Sequence, residues 1–273
     1  MTSQTESDSP RPVIGLALEV IGREGSVALI CDGEVAQTDD LPGDVRATAS
    51  LTPALQSLLL KFNPADSNAQ INPVESAAAT RASRPDFIAV ADGPGSFTGL
   101  RIAASTAKTL AYAWGIPVVT SDSLSVLAAA ILPPGISRSG GPGVDLPDPG
   151  QRLIVGLDAY RGQTFVGSFE ATDSGWQSVR EVELMDRAEW LAALESASPG
   201  TWVTGDAIKP GLPTEHLQPV GRKQTLASAL AGHSHQKFLV GQTTDPMEVL
   251  PKYFRPSAAE EKAASSRTGS AKG

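Results

Sequence analysis

Apolar positions along this chain follow two periods, and the places where one gives way to the other mark out its elements. Short runs with strand-like apolar content cover Val13–Leu18, Ser26–Cys31 and Glu34–Thr38, separated by glycine turns at Gly22–Gly25 and Asp32-Gly33. Leu51, Leu55, Leu58, Leu59 and Phe62 then recur at helical spacing and predict a helix near 48–62, with Ala54 and Leu60 off the stripe. Phe87 to Ala91 reads as a buried strand. After it, apolar residues at 100, 103, 104, 107, 110, 111 and 114 predict a helix over 97–114 that stops at Gly115. A strand at Ile116–Thr120 and a helix from about Ser123 to Ile131 complete the first half.

The second half repeats this order loosely. Leu153–Asp158, Thr164–Phe169 and Trp176–Glu183 read as three strands, followed by a helix at Arg187–Leu194 and a strand at Trp202–Thr204, after which the pattern fades. Glycine and proline crowd 133–150, which reads as a linker between the halves. Residues 63–85 read as a weakly ordered insertion, and 1–12 and 257–273 as disordered tails. The expected organisation is a first lobe over 13–132 and a second over 151–256.

The most specific stretch is Asp92-Gly93-Pro94-Gly95-Ser96-Phe97-Thr98-Gly99-Leu100-Arg101, a glycine-rich turn joining a strand to a helix. Such turns often cradle phosphate. A P-loop needs lysine after its last glycine, but Gly99 is followed by Leu100 and Arg101. A dinucleotide fingerprint needs G-x-G-x-x-G, and the interval from Gly95 to Gly99 is one residue too long. Ser96 or Thr98 suits an N-cap. As a nucleophile Ser96 would need a base, and no histidine precedes His216.

From Gly93 through the helix, GPGSFTGLRIAASTAKTLAYAWGIPVV resembles the signature segment of the bacterial TsaB family, which supports synthesis of threonylcarbamoyladenosine beside the tRNA anticodon. Weaker matches follow in the same order: Ser26–Leu29, the turn Leu157–Gly162, Val203-Thr204-Gly205, and Pro251-Lys252-Tyr253-Phe254-Arg255 against a terminal P-x-Y-x-R. The resemblance implies an α/β fold of the actin-like ATPase (ASKHA) superfamily: a duplicated ribonuclease H-like unit in two lobes, mixed sheets flanked by helices, the second lobe degenerate.

Active members of that superfamily hold Mg-ATP with an acidic strand-turn in each half. Here the first reads Glu19-Val20 where the family usually has Asp-Thr, and the second reads Asp158-Ala159-Tyr160. Both half-sites look degraded, so no cofactor is expected. The TsaD-type catalytic relative resembles a metal enzyme with a paired-histidine motif in its first half, which this chain lacks. His233 and His235 could chelate a metal only with a third ligand.

The resemblance therefore implies a non-catalytic subunit that pairs with a TsaD-type partner through two helices of each protein. The expected docking residues are Leu51, Leu55, Leu58 and Leu59 on the first helix and Ser96, Phe97, Thr98, Gly99, Arg101, Ala104, Lys108 and Ala111 on the second. Arg101 and Lys108 serve either partner carboxylates or solvent. An Ala104→Arg change is expected to abolish the complex and leave the monomer folded. A TsaE-type ATPase could join as a third component, and a homodimer could form through the same surface.

Composition adds to this picture. The net charge of −8 leaves no visible basic patch, so tRNA contact is expected only through the complex. A single cysteine, Cys31, fits a reducing compartment. The polar start at Met1–Pro12 and the lack of an apolar run near 18 residues point to the cytoplasm without membrane association. The alternative enzyme is a small-molecule kinase or ATPase of the same fold; a dinucleotide oxidoreductase fits poorly with three antiparallel-looking strands ahead of the glycine turn.

Overall fold

A computed structural model describes residues 11–20, 25–42, 47–61, 84–133, 147–173 and 175–254. Residues 1–10 of the expected N-terminal tail, the C-terminal tail, most of the 63–85 insertion, most of the 133–150 linker, the turn at 22–24, Phe62 and Arg255 lie outside the described residues.

The first sheet contains β1 (Ile14–Glu19), β2 (Ser26–Cys31), β3 (Glu34–Asp40), β4 (Phe87–Gly93) and β5 (Val118–Asp122), in the order β3-β2-β1-β4-β5. β2 runs antiparallel to β1 and β3, whereas β1, β4 and β5 are parallel. Parallel strands require crossovers, and helices supply them. Helix α1 (Ala47–Lys61) precedes β4, α2 (Phe97–Trp114) joins β4 to β5, and α3 (Ser123–Ala130) follows β5.

The second sheet comprises β6 (Arg152–Asp158), β7 (Thr164–Thr172), β8 (Gly175–Ser178), β10 (Trp202–Thr204) and β11 (Gln218–Pro219), ordered β11-β10-β6-β7-β8, with β9 (Glu183–Met185) also paired to β7. Read from its other edge, this is the first sheet's order and its parallel and antiparallel pattern again. Helix α4 (Arg187–Ser196) occupies the place of α1, and α5 (Leu226–Leu239) the place of α3. Residues 205–217 form turns where the first lobe has α2. The second lobe is thus a degenerate copy of the first.

Alternation along the strands assigns each apolar residue to one of two layers. Leu16, Leu18, Val27, Leu29, Ile88 and Val90 face the outer layer with α1 and α2. Ala17, Ala28, Ile30, Phe87 and Ala89 face an inner layer that also holds residues of α3, α5, β6 and β7. Helices α3 and α5 pack on each other between the two sheets. The layers therefore run from α1 and α2, through the first sheet, α3 with α5, and the second sheet, to α4.

Two expectations are corrected here. Trp176–Glu183, read as one strand, is divided between β8 and β9, which pair with different parts of β7. The region in which the pattern faded contains α5, buried at Leu226, Ala227, Ala229, Leu230, Ala231, Ser234 and His235. Every residue from Leu226 to Ala231 is buried, so no polar face creates a periodic stripe over the first turns and the signal was weak.

Candidate partner-docking surface

At the end of β4 the chain turns sharply. Gly93 takes φ +127°, and a Cβ there would stand 2.6 Å from the carbonyl oxygen of Lys252, so glycine is required both by conformation and by space. Ser96 is the N-cap of α2: its Oγ accepts the Gly99 N–H at 3.3 Å, and its carbonyl accepts the Leu100 N–H at 2.8 Å. The helix ends at Gly115 in the left-handed conformation, where the Gly115 N–H bonds the carbonyls of Ala111 and Tyr112. The turn seats a fully capped, 18-residue helix.

Leu100, Ala103, Ala104, Ala107 and Ala111 form the buried face of α2, and small side chains let it lie close on the sheet. The opposite face points outward with Arg101, Ser105, Thr109, Tyr112 and Ala113, of which Tyr112 is 72% exposed. On α1, Leu51, Leu55 and Leu58 are buried against the same outer layer, Leu59 is half-buried, and Leu60 is 72% exposed.

The expected docking residues thus separate into two groups. Leu51, Leu55, Leu58, Ala104 and Ala111 are core residues that hold the helices on the sheet, and Gly99 is buried in the first turn. Thr98 and Arg101 are exposed, while Leu59, Ser96, Phe97 and Lys108 are half-buried. The proposed Ala104→Arg test is corrected: Ala104 is only 8% exposed, so arginine would disturb the monomer as well as any complex. Ser105, exposed on the next position, is the suitable site.

Sequence reasoning missed what flanks α2. After α5 the chain forms a bridge between Thr244 and Val118 on β5, then a 3₁₀ turn at Pro246–Glu248 that contacts α2. Lys108 donates to the Met247 carbonyl at 3.1 Å, and Arg101 Nε donates to the Tyr253 hydroxyl at 3.1 Å. Tyr253 lies against Phe97 with ring centroids 4.7 Å apart, and the Arg101 guanidinium sits 3.9 Å from the Phe97 centroid. Both cations left open between partner and solvent therefore have ligands within the chain. The only signal was the short Pro251–Arg255 motif, whose Tyr253 is more than 150 residues from Phe97 and Arg101.

Asp92 anchors the other end of this contact. Its carbonyl accepts the Lys252 N–H at 2.7 Å, and its Oδ2 pairs with Lys252 Nζ at 2.9 Å. Burial pushes its carboxyl above the ordinary range against the opposing pull of Lys252. Nearby, Lys237 of α5 donates to the Thr120 carbonyl and to Ser121 Oγ, and burial lowers its pKa.

The two acidic positions expected from the resemblance lie at the ends of corresponding strands, β1 and β6. Glu19 ends β1 at 3% exposure, inside the core and not on an open rim. Asp158 accepts from Lys209 Nζ at 2.8 Å and from the Tyr160 N–H at 2.8 Å, and its own N–H donates to Asp206 at 2.7 Å. These contacts make it the organiser of a turn in which Tyr160 and Arg161 take positive φ. His233 and His235 lie on α5, the first exposed and the second buried, an arrangement unsuited to chelation. Among the described residues no group of three or more His, Cys, Asp or Glu side chains could hold a metal ion, and no helix is long and apolar enough to cross a membrane.

Residues 70–179, less than half of the chain, match the family model described as TsaD: tRNA N6-adenosine threonylcarbamoyltransferase. The tRNA threonylcarbamoyladenosine biosynthesis protein TsaB of Bacillus subtilis (strain 168) is 35% identical over 109 residues, covering 40% of this chain and 41% of that protein. The protein of the same name from Escherichia coli (strain K12) is 25% identical over 181 residues, 64% of this chain and 73% of its own length. With the first of these the similarity thus spans less than half of either protein. Among solved structures, YeaZ from Pseudomonas aeruginosa superposes with a TM-score of 0.65 at 21% identity, covering 89% of this chain and 100% of that one, and shows the same fold.

Proposed function

We propose that this chain, which belongs to the TsaB family, serves tRNA threonylcarbamoyladenosine biosynthesis as a non-catalytic subunit that docks on a TsaD-type catalytic subunit. The observation that carries the reading is the outward face of α2, capped at both ends, held rigidly by its alanine face and left exposed at Arg101, Ser105, Thr109 and Tyr112. A rigid helix presenting small residues beside an aromatic one suits close approach by another helix, with Tyr112 as an anchor. Exposed Leu60 on α1 extends the apolar surface.

Three further features support the same reading. The match of 70–179 to a TsaD model covers the signature turn and α2, so a TsaD-type partner has a corresponding unit to offer. Ser96 is engaged as a helix cap and Asp158 in an ion pair and turn, structural tasks that fit a supporting subunit. The acidic net charge suits contact with tRNA only through the complex. A TsaE-type ATPase would join the assembled pair, and the same face could form a homodimer when the partner is absent. Residence in the cytoplasm belongs to this proposal.

Calorimetric titration of the chain with the TsaD-type subunit of its own source tests the reading. Ser105→Arg is expected to leave the melting of the isolated chain within about 0.5 kcal/mol, as surface changes do, and to weaken binding about 100-fold or more, roughly 2.7 kcal/mol. Unchanged affinity in Ser105→Arg would remove α2 from the interface.

A further inference from the structure

We propose that Lys252, Tyr253 and Phe254 form a clasp that holds the signature turn and the first turns of α2 in the geometry a partner meets. The proposal rests on the docking reading of α2 given above. Its basis is a set of contacts converging on one short segment that returns from the far end of the chain.

Two kinds of restraint act on the turn. Through its backbone, Lys252 donates to the Asp92 carbonyl at 2.7 Å, and its side chain pairs at 2.9 Å with the Asp92 carboxylate, whose side chain is 4% exposed. Through its ring, Tyr253 packs on Phe97, the first residue of α2, and its hydroxyl accepts from Arg101 one turn further on. The turn between these points is Gly93–Ser96, where glycine and proline leave few side chains to restrain it. A restraint from elsewhere in the chain therefore adds to the packing of the alanine face by fixing the turn and the first residues of the helix.

The path of the segment excludes a simple lid. Tyr253 lies beside Arg101, and Met247 lies beside Lys108, so the segment runs antiparallel to α2 along two helical turns, about 10 Å. It occupies the flank of the helix. Ser105, Thr109 and Tyr112 stay exposed. Gly93 shows how closely the parts fit, since any side chain there would meet the Lys252 carbonyl at 2.6 Å.

Phe254 extends the clasp to the other lobe. Its ring meets Phe165 of β7 edge-on at 6.2 Å. Three consecutive residues thus connect the end of β4, the start of α2 and the second sheet. Holding a docking element in its bound geometry lowers the ordering cost of association, which raises affinity without any new contact to the partner.

Amide hydrogen exchange on the full chain, paired with calorimetry against the TsaD-type subunit, tests the clasp. In a Lys252→Ala/Tyr253→Ala double variant the amides of 96–101 are expected to exchange about tenfold faster while those of α3 and α5 keep their rates. Affinity for the partner should fall about tenfold. Tyr253→Phe, which keeps the ring contact, should stay within about twofold of the parent on both measures. Tyr253→Ala alone changes a 45% exposed side chain, leaves the Asp92–Lys252 pair intact and provides a folded variant if the double change is poorly behaved. Unaltered exchange over 96–101 in the alanine variants would overturn the clasp, as would faster exchange spread evenly through the chain. Failure of the unmodified chain to bind the partner would instead overturn the docking reading, while the exchange arm would still judge the clasp.

Discussion

Asp92 joins β4 to the signature turn and shows how one residue can carry a cost and a purpose together. Its carboxylate is withdrawn from water, and the compensating Lys252 is largely exposed, so Coulombic attraction is screened while desolvation is not. Because its folded pKa is raised, the unfolded chain releases its proton first as pH climbs above the ordinary carboxylate range, near 3.9. The contribution of this group to stability is therefore highest at acid pH and is lost as pH rises through the raised folded value. Asp92→Asn retains a carbonyl acceptor and removes the charge. Thermal melts should show it gaining stability relative to the parent between pH 4 and pH 7. A difference that fell with pH would mean that the ion pair with Lys252 outweighs burial.

Helix α2 shows what local chemistry can specify. Its two ends were legible because Ser96 and Gly115 have short-range reasons to be there: a hydroxyl for an unpaired N–H, and a left-handed residue for the last carbonyls. The 3.3 Å capping bond is long, which places Ser96→Ala toward the lower part of the usual range, about 0.5–1 kcal/mol in urea denaturation. Ser96→Asp should recover that loss, since aspartate caps equally well and suits the helix dipole. Failure of aspartate to recover it would show that the hydroxyl has a role beyond capping. The buried alanines of the same helix were legible as one face. Which face would meet the sheet was not, and α1 repeats the point: Leu51, Leu55 and Leu58 turn inward while Leu60, one of the residues off the stripe, is left outside.

For the molecule as a whole, the decisive feature is the inner layer, to which both halves of the chain contribute. α3 from the first half and α5 from the second lie together between the sheets, and residues of β1, β2, β4, β6 and β7 close around them. Neither lobe has a complete core by itself. A fragment comprising residues 11–133 exposes the inner face of its sheet and lacks α5, so it is expected to give no cooperative thermal transition, whereas the full chain does. A sharp transition in the fragment would show that the outer layer of α1 and α2 is a sufficient core.

Most of the strand and helix order up to Thr204, the loose duplication, the capped signature helix and the family resemblance were present in the sequence, because they rest on local spacing and contiguous motifs. The fate of individual side chains was not. Helix α5 lost its periodic signature because its first turns are buried between the first sheet and α3, and the Lys252–Phe254 segment meets Asp92, Phe97 and Phe165 across gaps of 89 residues or more, for which no local spacing exists. Local propensity determined the elements. Only the tertiary structure, by bringing distant segments together and burying some faces in preference to others, decided which residues hold α2 in place and which stay exposed.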